Sequence, residues 1–186
     1  MKNTIINEIN AHIEVSNLIH TLSDEISMSC QLCINSLKHS GKIFLFGNGG
    51  SAADAQHIAA ELVGRYKMKR AGLPAIALTT DTSALTSIGN DFGYDYIFER
   101  QIEALANKND AVIGISTSGQ SINVLNGLKM ASKIGCATIG LSGQSDKTMS
   151  HFCDTNLIVP SQDTPRIQEM HILIGHIMCQ IIEQEI

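Results

Sequence analysis

Residues 44–62 read FLFGNGGSAADAQHIAAEL, and this stretch decides the fold. An apolar run, Ile43 to Phe46, stops at Gly47-Asn48-Gly49-Gly50, and helical spacing begins at Ser51. That is the layout of a strand, a tight glycine turn and a helix N-terminus. Glycine permits positive φ and lets a ligand approach the backbone closely. The first amides of a helix have no internal partners and carry partial positive charge, so an anion or polyol can settle on them. His57 and Glu61 follow, four apart, and so share one face of the predicted helix. The plainer reading of the same residues is a connecting turn followed by a surface His–Glu pair.

Outward from this unit the pattern alternates. Apolar strand candidates are 43–46, 75–78, 111–115, 137–141 and 157–159. Helical stretches are expected at 51–64, 83–89, 95–106 and 121–134, with a short one near 146–151. Short, continuously apolar strands separated by helices predict a parallel sheet buried on both faces. The expected architecture is therefore α/β, a three-layer α/β/α sandwich with five parallel strands. Ligands of such sheets lie at the carboxyl ends of the strands. The residues to watch are Gly47–Ser51, Thr79–Asp81, Ser116–Ser121 and Ser142-Gly143.

Before the first strand, residues 3–39 keep helical periodicity through Ile5, Ile9, Ile13, Ile19, Leu22 and Ile26, with Gly41 as the expected C-terminal cap. Such an arm either packs against another subunit or covers its own sheet. The last helix is expected to start at Thr164-Pro165, with Thr164 as cap, and to run to about Gln184.

The chain has 186 residues, 44% apolar and 17% charged, enough for one domain with a sizeable core. A net charge of −5 argues against a nucleic-acid partner. No apolar run reaches the ~18 residues of a membrane span, and no signal peptide is evident. The five cysteines are scattered. Cys30 and Cys33 form a CxxC inside a helical pattern with no second pair, so no zinc role is expected of them. Buried, reduced thiols in a cytoplasmic protein are the expectation.

Ser116-Thr117-Ser118-Gly119-Gln120-Ser121 follows a strand and opens a helix. Hydroxyls and backbone amides converge there, a site for a phosphate dianion that needs no lysine. His57 and Glu61 are compatible with metal binding, acid–base work or a surface pair. Gln168, His171 and His176 interrupt an otherwise apolar last helix; Gln168 and His176 lie eight apart, about 80° beyond two turns and about 12 Å along the axis. To share a ligand they must lean together, or one must serve a neighbouring subunit. Asn90-Asp91, Asp81 and Asp163 read equally as turn residues. Arg65 either caps its helix or reaches a substrate.

GNGGSAADAQHIAAEL at 47–62, ALTTDTSALTSIGND at 77–91, ISTSGQS at 115–121 and RIQEMHILIGH at 166–176 resemble, in order, the sugar-isomerase (SIS) domain family, and within it the phosphoheptose isomerase branch. STSGxS alone marks only the SIS fold, which is flavodoxin-like; the other motifs are far more specific. The resemblance implies one SIS domain over 1–186, with residues 1–40 as an arm used in oligomer packing. It implies a homotetramer with active sites at subunit interfaces. Asn48, Gly49, Gly50 and Ser51 would meet the sugar phosphate, Asn90 and Asp91 its hydroxyls, and Ser116, Thr117, Ser118 and Ser121 its phosphate. His57, Glu61, Gln168 and His176 would hold one Zn²⁺ per subunit, with Glu61 and Gln168 also touching substrate.

The implied reaction takes D-sedoheptulose 7-phosphate to D-glycero-D-manno-heptose 7-phosphate through an enediol, opening heptose synthesis for lipopolysaccharide core or capsule. Glu61 is the expected base and His176 the expected acid. A carboxylate bound to Zn²⁺ is a poorer base, which sets the two roles of Glu61 in tension. Alternatives are an isomerase of another phosphosugar, or a non-enzymatic SIS relative acting on the replication initiator DnaA. The second has no need of the full His57–Glu61–Gln168–His176 set.

Overall fold

The computed structural model describes residues 1–144 and 148–186. Five strands form one sheet: β1 (Ile43–Gly47), β2 (Ala75–Ala77), β3 (Ala111–Ser116), β4 (Ala137–Gly143) and β5 (Thr155–Val159). All neighbours are parallel, in the order β2-β1-β3-β4-β5. The alternation of side chains along β1 assigns the layers. Ile43 and Leu45 enter one core with α2 (Ser23–Lys38), α3 (Gly50–Val63) and α7 (Thr164–Glu185). Phe44 and Phe46 enter the other, with α4 (Thr82–Asp91), α5 (Ile97–Leu105) and α6 (Ile122–Ile134). The rings of Phe46 and Phe98 stack at 4.8 Å. The sheet is thus buried on both faces, as its uninterrupted apolar strands require.

The N-terminal helical region is divided. α1 (Lys2–Ser16) ends before a 3₁₀ turn at Ile19–Leu22, and α2 then begins. No residue of α1 is buried, so the arm does not cover the sheet. Its polar side is fastened to α7. Arg166, only 7% exposed, donates to the Glu8 carbonyl at 2.7 Å and the Glu8 carboxylate at 2.9 Å, and pairs with Glu169 at 2.5 Å. Glu169 meets His12 at 2.8 Å. Ile5, Ile6, Ile9 and Ile13 stay exposed.

Several element ends differ from the sequence expectation. Ser40, not Gly41, takes the left-handed conformation after α2 (φ 61°), and the Gly41 amide reaches back to the Ser36 carbonyl at 2.8 Å. Gly41 is required for another reason: a Cβ there would strike the Asn109 carbonyl. At α7 the cap position is Asp163, with Thr164 and Pro165 already helical. β5 starts two residues early, at Thr155. The short helix expected near 146–151 falls partly outside the described residues; a 3₁₀ turn occupies Thr148–Phe152. No described helix is long and apolar enough to cross a membrane.

Candidate active site

The switch in strand order places the site. β1 has β2 on one side and β3 on the other, and the β1–β3 register sets Gly47 opposite Ile115. The turns after β1 and β3 therefore leave the carboxyl edge of the sheet side by side.

Gly49 is the cap of α3 and needs its glycine, with φ 56° and ψ −119°. The Ser51 amide donates to the Asn48 carbonyl at 3.0 Å, and Ser51 itself is 3% exposed. Asn48 is held from two sides. Its amide exchanges hydrogen bonds with that of Asn123, 2.9 Å each way, and its Oδ1 also accepts from the Tyr94 hydroxyl at 2.9 Å. In the neighbouring turn the Ser116 hydroxyl lies 3.0 Å from that of Ser121 and 3.4 Å from that of Ser118. The Thr117 carbonyl accepts from the Gly143 amide at 3.0 Å, which ties this turn to the end of β4. Three hydroxyls thus converge at a helix start, an arrangement suited to an anion.

α3 and α7 lie side by side and run the same way: Gly50 touches Gln168, and Ile58 touches Gly175. This packing delivers His176 to His57 and Glu61. The two imidazole Nε2 atoms are 3.0 Å apart, and His57 Nε2 is 3.5 Å from the Glu61 carboxylate. One ligand atom from each of the three lies within 4.8 Å of the others. Donors around a tetrahedral Zn²⁺ stand about 3.3 Å apart, so this N, N, O set fits such an ion, with a position left for a further ligand.

Gln168, the fourth expected ligand, stands at the Gly50 end of the α3–α7 contact. Its amide lies against Gly50, and His57 is about 10 Å further along α3. Among the described residues no hydrogen bond joins it to either histidine. Asn90 donates to its neighbour Asp91 at 2.8 Å, and both are exposed in the last turn of α4. Asp81 is a helix cap, accepting from the Ala84 amide at 2.9 Å. Arg65 is exposed; the carbonyls at the end of α3 are taken by Arg70, which donates to Glu61 at 3.0 Å and Leu62 at 2.8 Å.

Asp54, Asn123 and Glu183 escaped the sequence reading, and His171 stood out in it only as a polar interruption of the last helix. Asp54, one turn before His57, keeps one carboxylate oxygen buried and unpartnered. Burial raises its pKa, and His57 partly offsets this. Glu183 is 4% exposed. Burial alone would raise its pKa, but the amides of Lys67, Met68 and Tyr66 and the Arg70 guanidinium outweigh that and hold it low. His171, buried in α7, meets the Ser142 carbonyl at 3.3 Å, and burial pushes its pKa down to about 4. The sequence signal for Asn123, Glu183 and His171 is weak: each is one of several polar residues in its helix.

A cavity of about 130 Å³ lies beside Asn48, Thr79 and Tyr94. A larger one, about 580 Å³, opens at the amino end of the sheet near Asn35, His39, Asp110 and Asp154. The Asp110 carboxylate there is already occupied by Lys42 and Asn107, so we place the chemistry at the carboxyl end.

The SIS domain family model matches residues 7–143. The chain is 59% identical to the phosphoheptose isomerase of Aliarcobacter butzleri, covering 100% of this chain and 99% of that one. It is 56% identical to that of Helicobacter hepaticus, covering 100% and 94%. The structure of the phosphoheptose isomerase from Neisseria gonorrhoeae superposes with a TM-score of 0.93 at 40% identity, covering 98% of each chain.

Proposed function

Because the chain belongs to the SIS domain family, we infer that it is an aldose–ketose isomerase converting D-sedoheptulose 7-phosphate to D-glycero-D-manno-heptose 7-phosphate in heptose biosynthesis. The observation that carries this reading is the convergence of His57, Glu61 and His176 on α3 and α7, in a chain alike over its whole length to phosphoheptose isomerases. The non-enzymatic alternative has no use for that acid–base set.

The Ser116–Ser121 turn holds the phosphate, and Asn48, Gly49, Gly50 and Ser51 receive the sugar, with Asn90 and Asp91 meeting its hydroxyls. Glu61 takes the proton from one of the two carbons while His176 protonates the carbonyl oxygen, giving the enediol; His176 then takes the proton of the other enediol hydroxyl as Glu61 returns its proton to the neighbouring carbon, which forms the new carbonyl and regenerates both groups. His57, Glu61 and His176 also suit Zn²⁺, which when bound would polarise the carbonyl and stabilise negative charge on oxygen. Gln168 meets substrate at the Gly50 end. It joins the metal set when its amide leaves Gly50 or comes from a neighbouring subunit.

We further propose a single domain over 1–186 that works as a homotetramer in the cytoplasm, with the 1–40 arm in the subunit contact. The exposed isoleucines of α1 support this. So does the small cavity at Asn48, which is below the usual size of a ligand pocket and so calls for walls from a neighbour. Five free cysteines fit a reducing compartment.

The test is turnover of sedoheptulose 7-phosphate with and without a chelator and added Zn²⁺. Loss with the chelator and recovery with zinc support both the isomerase and the metal. Turnover indifferent to the chelator keeps the isomerase and removes the metal from it. No turnover in any condition overturns the reading.

A further inference from the structure

We propose that Tyr66 is a positioning residue for His176, pressed onto the imidazole by a loop that the buried Glu183 carboxylate holds in place. This rests on the reading of His176 as acid and metal ligand.

The segment between α3 and β2 has no regular structure at Tyr66–Arg70. It is nonetheless fixed. The Glu183 carboxylate accepts from three consecutive amides, Tyr66 at 3.1 Å, Lys67 at 2.8 Å and Met68 at 2.7 Å. Successive amides turned onto one anion form a backbone nest. Arg70 closes the knot. Its Nε donates to Glu183 at 3.2 Å, while its terminal nitrogens donate to the carbonyls of Glu61 and Leu62. The loop is thereby tied to α7 and to the backbone of Glu61 itself.

The consequence reaches the site through one ring. Tyr66 stacks on His176 with centroids 5.6 Å apart and planes 27° from parallel. His57 meets the same imidazole edge-on, at 5.1 Å and 61°. The face contact with Tyr66 and the edge contact with His57 hold the His176 imidazole with its Nε2 3.0 Å from that of His57. Beside it opens a cavity of about 270 Å³ lined by Tyr66, Lys67, His176 and Gln180, into which an unstacked imidazole can turn. Small displacements of an acid or a ligand atom are costly to the reaction and to metal binding.

The experiment compares Tyr66→Leu with Tyr66→Phe. It reads kcat and KM for sedoheptulose 7-phosphate, the Zn²⁺ dissociation constant by competition with a chromogenic chelator, and Tm. Tyr66→Phe keeps the stack and is expected to stay within about two-fold of the parent in every reading. Tyr66→Leu is expected to lower kcat and weaken Zn²⁺ binding about ten-fold each, with KM within about two-fold. If Tyr66→Leu does not fold, Tyr66→Met, unstacked but long and flexible enough to fill irregular gaps, carries the same expectation. A folded, unstacked variant that matches Tyr66→Phe in kcat and Zn²⁺ affinity overturns the proposal. Absence of turnover in the parent overturns the isomerase reading instead, and the zinc comparison still decides the role of Tyr66.

Discussion

The side-chain amides of Asn48 and Asn123 bind each other in both directions, each donating at 2.9 Å, and so lock the turn after β1 to the first turn of α6. Asn123 is 3% exposed and touches no other part of the proposed site among its hydrogen bonds. Asn123→Ala leaves Asn48 with the Tyr94 hydroxyl alone. We expect KM for the phosphosugar to rise about ten-fold and stability to fall by about 1–3 kcal/mol, the cost of unmade buried hydrogen bonds. Steady-state kinetics with urea unfolding checks both.

Gly50 separates two effects that usually coincide. A Cβ there would lie 2.5 Å from the Gln168 side-chain nitrogen, the free end of a flexible chain. Gly50→Ala should therefore cost little stability, since alanine favours a helix over glycine by about 1 kcal/mol. It should push Gln168 away and lower kcat/KM at least ten-fold. An unchanged kcat/KM would remove Gln168 from the site.

Glu61→Gln keeps the shape of the side chain and removes its basicity. Turnover should fall by at least about a hundred-fold, the usual contribution of a positioned base. The circular dichroism spectrum and oligomeric state should stay those of the parent, because the carboxylate is half-buried and among the described residues makes only the 3.5 Å pairing with His57. Retained activity would take the base role from Glu61.

His171 gives the fold an acid limit. Its pKa is pushed down to about 4, from the ordinary 6.5, because burial opposes the charged ring. As pH falls, the unfolded chain takes up this proton first. Stability is intact above pH 6.5 and is lost between 6.5 and 4, by about 3 kcal/mol in all and about 2 kcal/mol at pH 5. Urea unfolding at pH 7 and pH 5 measures the loss, and His171→Gln should show a shallower fall over that interval.

What was legible in the sequence was local or periodic. The strands showed because burial on both faces makes them continuously apolar, and His57 and Glu61 showed because four residues is one helical turn. The glycine turn and the Ser116–Ser121 turn showed because their chemistry is contiguous. The break between α1 and α2 did not, since the isoleucine spacing runs through it. The start of β5 was missed because Thr155 and Asn156 are polar. The left-handed residue after α2 is a serine where glycine would be the natural guess.

The pairs that hold the site together were invisible for a different reason. Asn48 and Asn123 are 75 residues apart, and Arg70 and Glu183 are 113 apart. Nothing local marks two such residues as partners. The approach of His176 to His57 likewise follows from helix packing, not from spacing along one helix.

The core face shared by α2 and α7 contains Cys30, Cys33 and Cys179, all buried and free. Burial pushes the Cys30 thiol up to about 11 and Cys179 up to about 12, and raises Cys33 further. At neutral pH none is a nucleophile while the helices stay closed. Alkylation of these thiols is therefore a stopwatch on the separation of α2 from α7. It is carried by the unmodified chain, and it reads the opening of the helix that bears His176 without a probe ever touching the site.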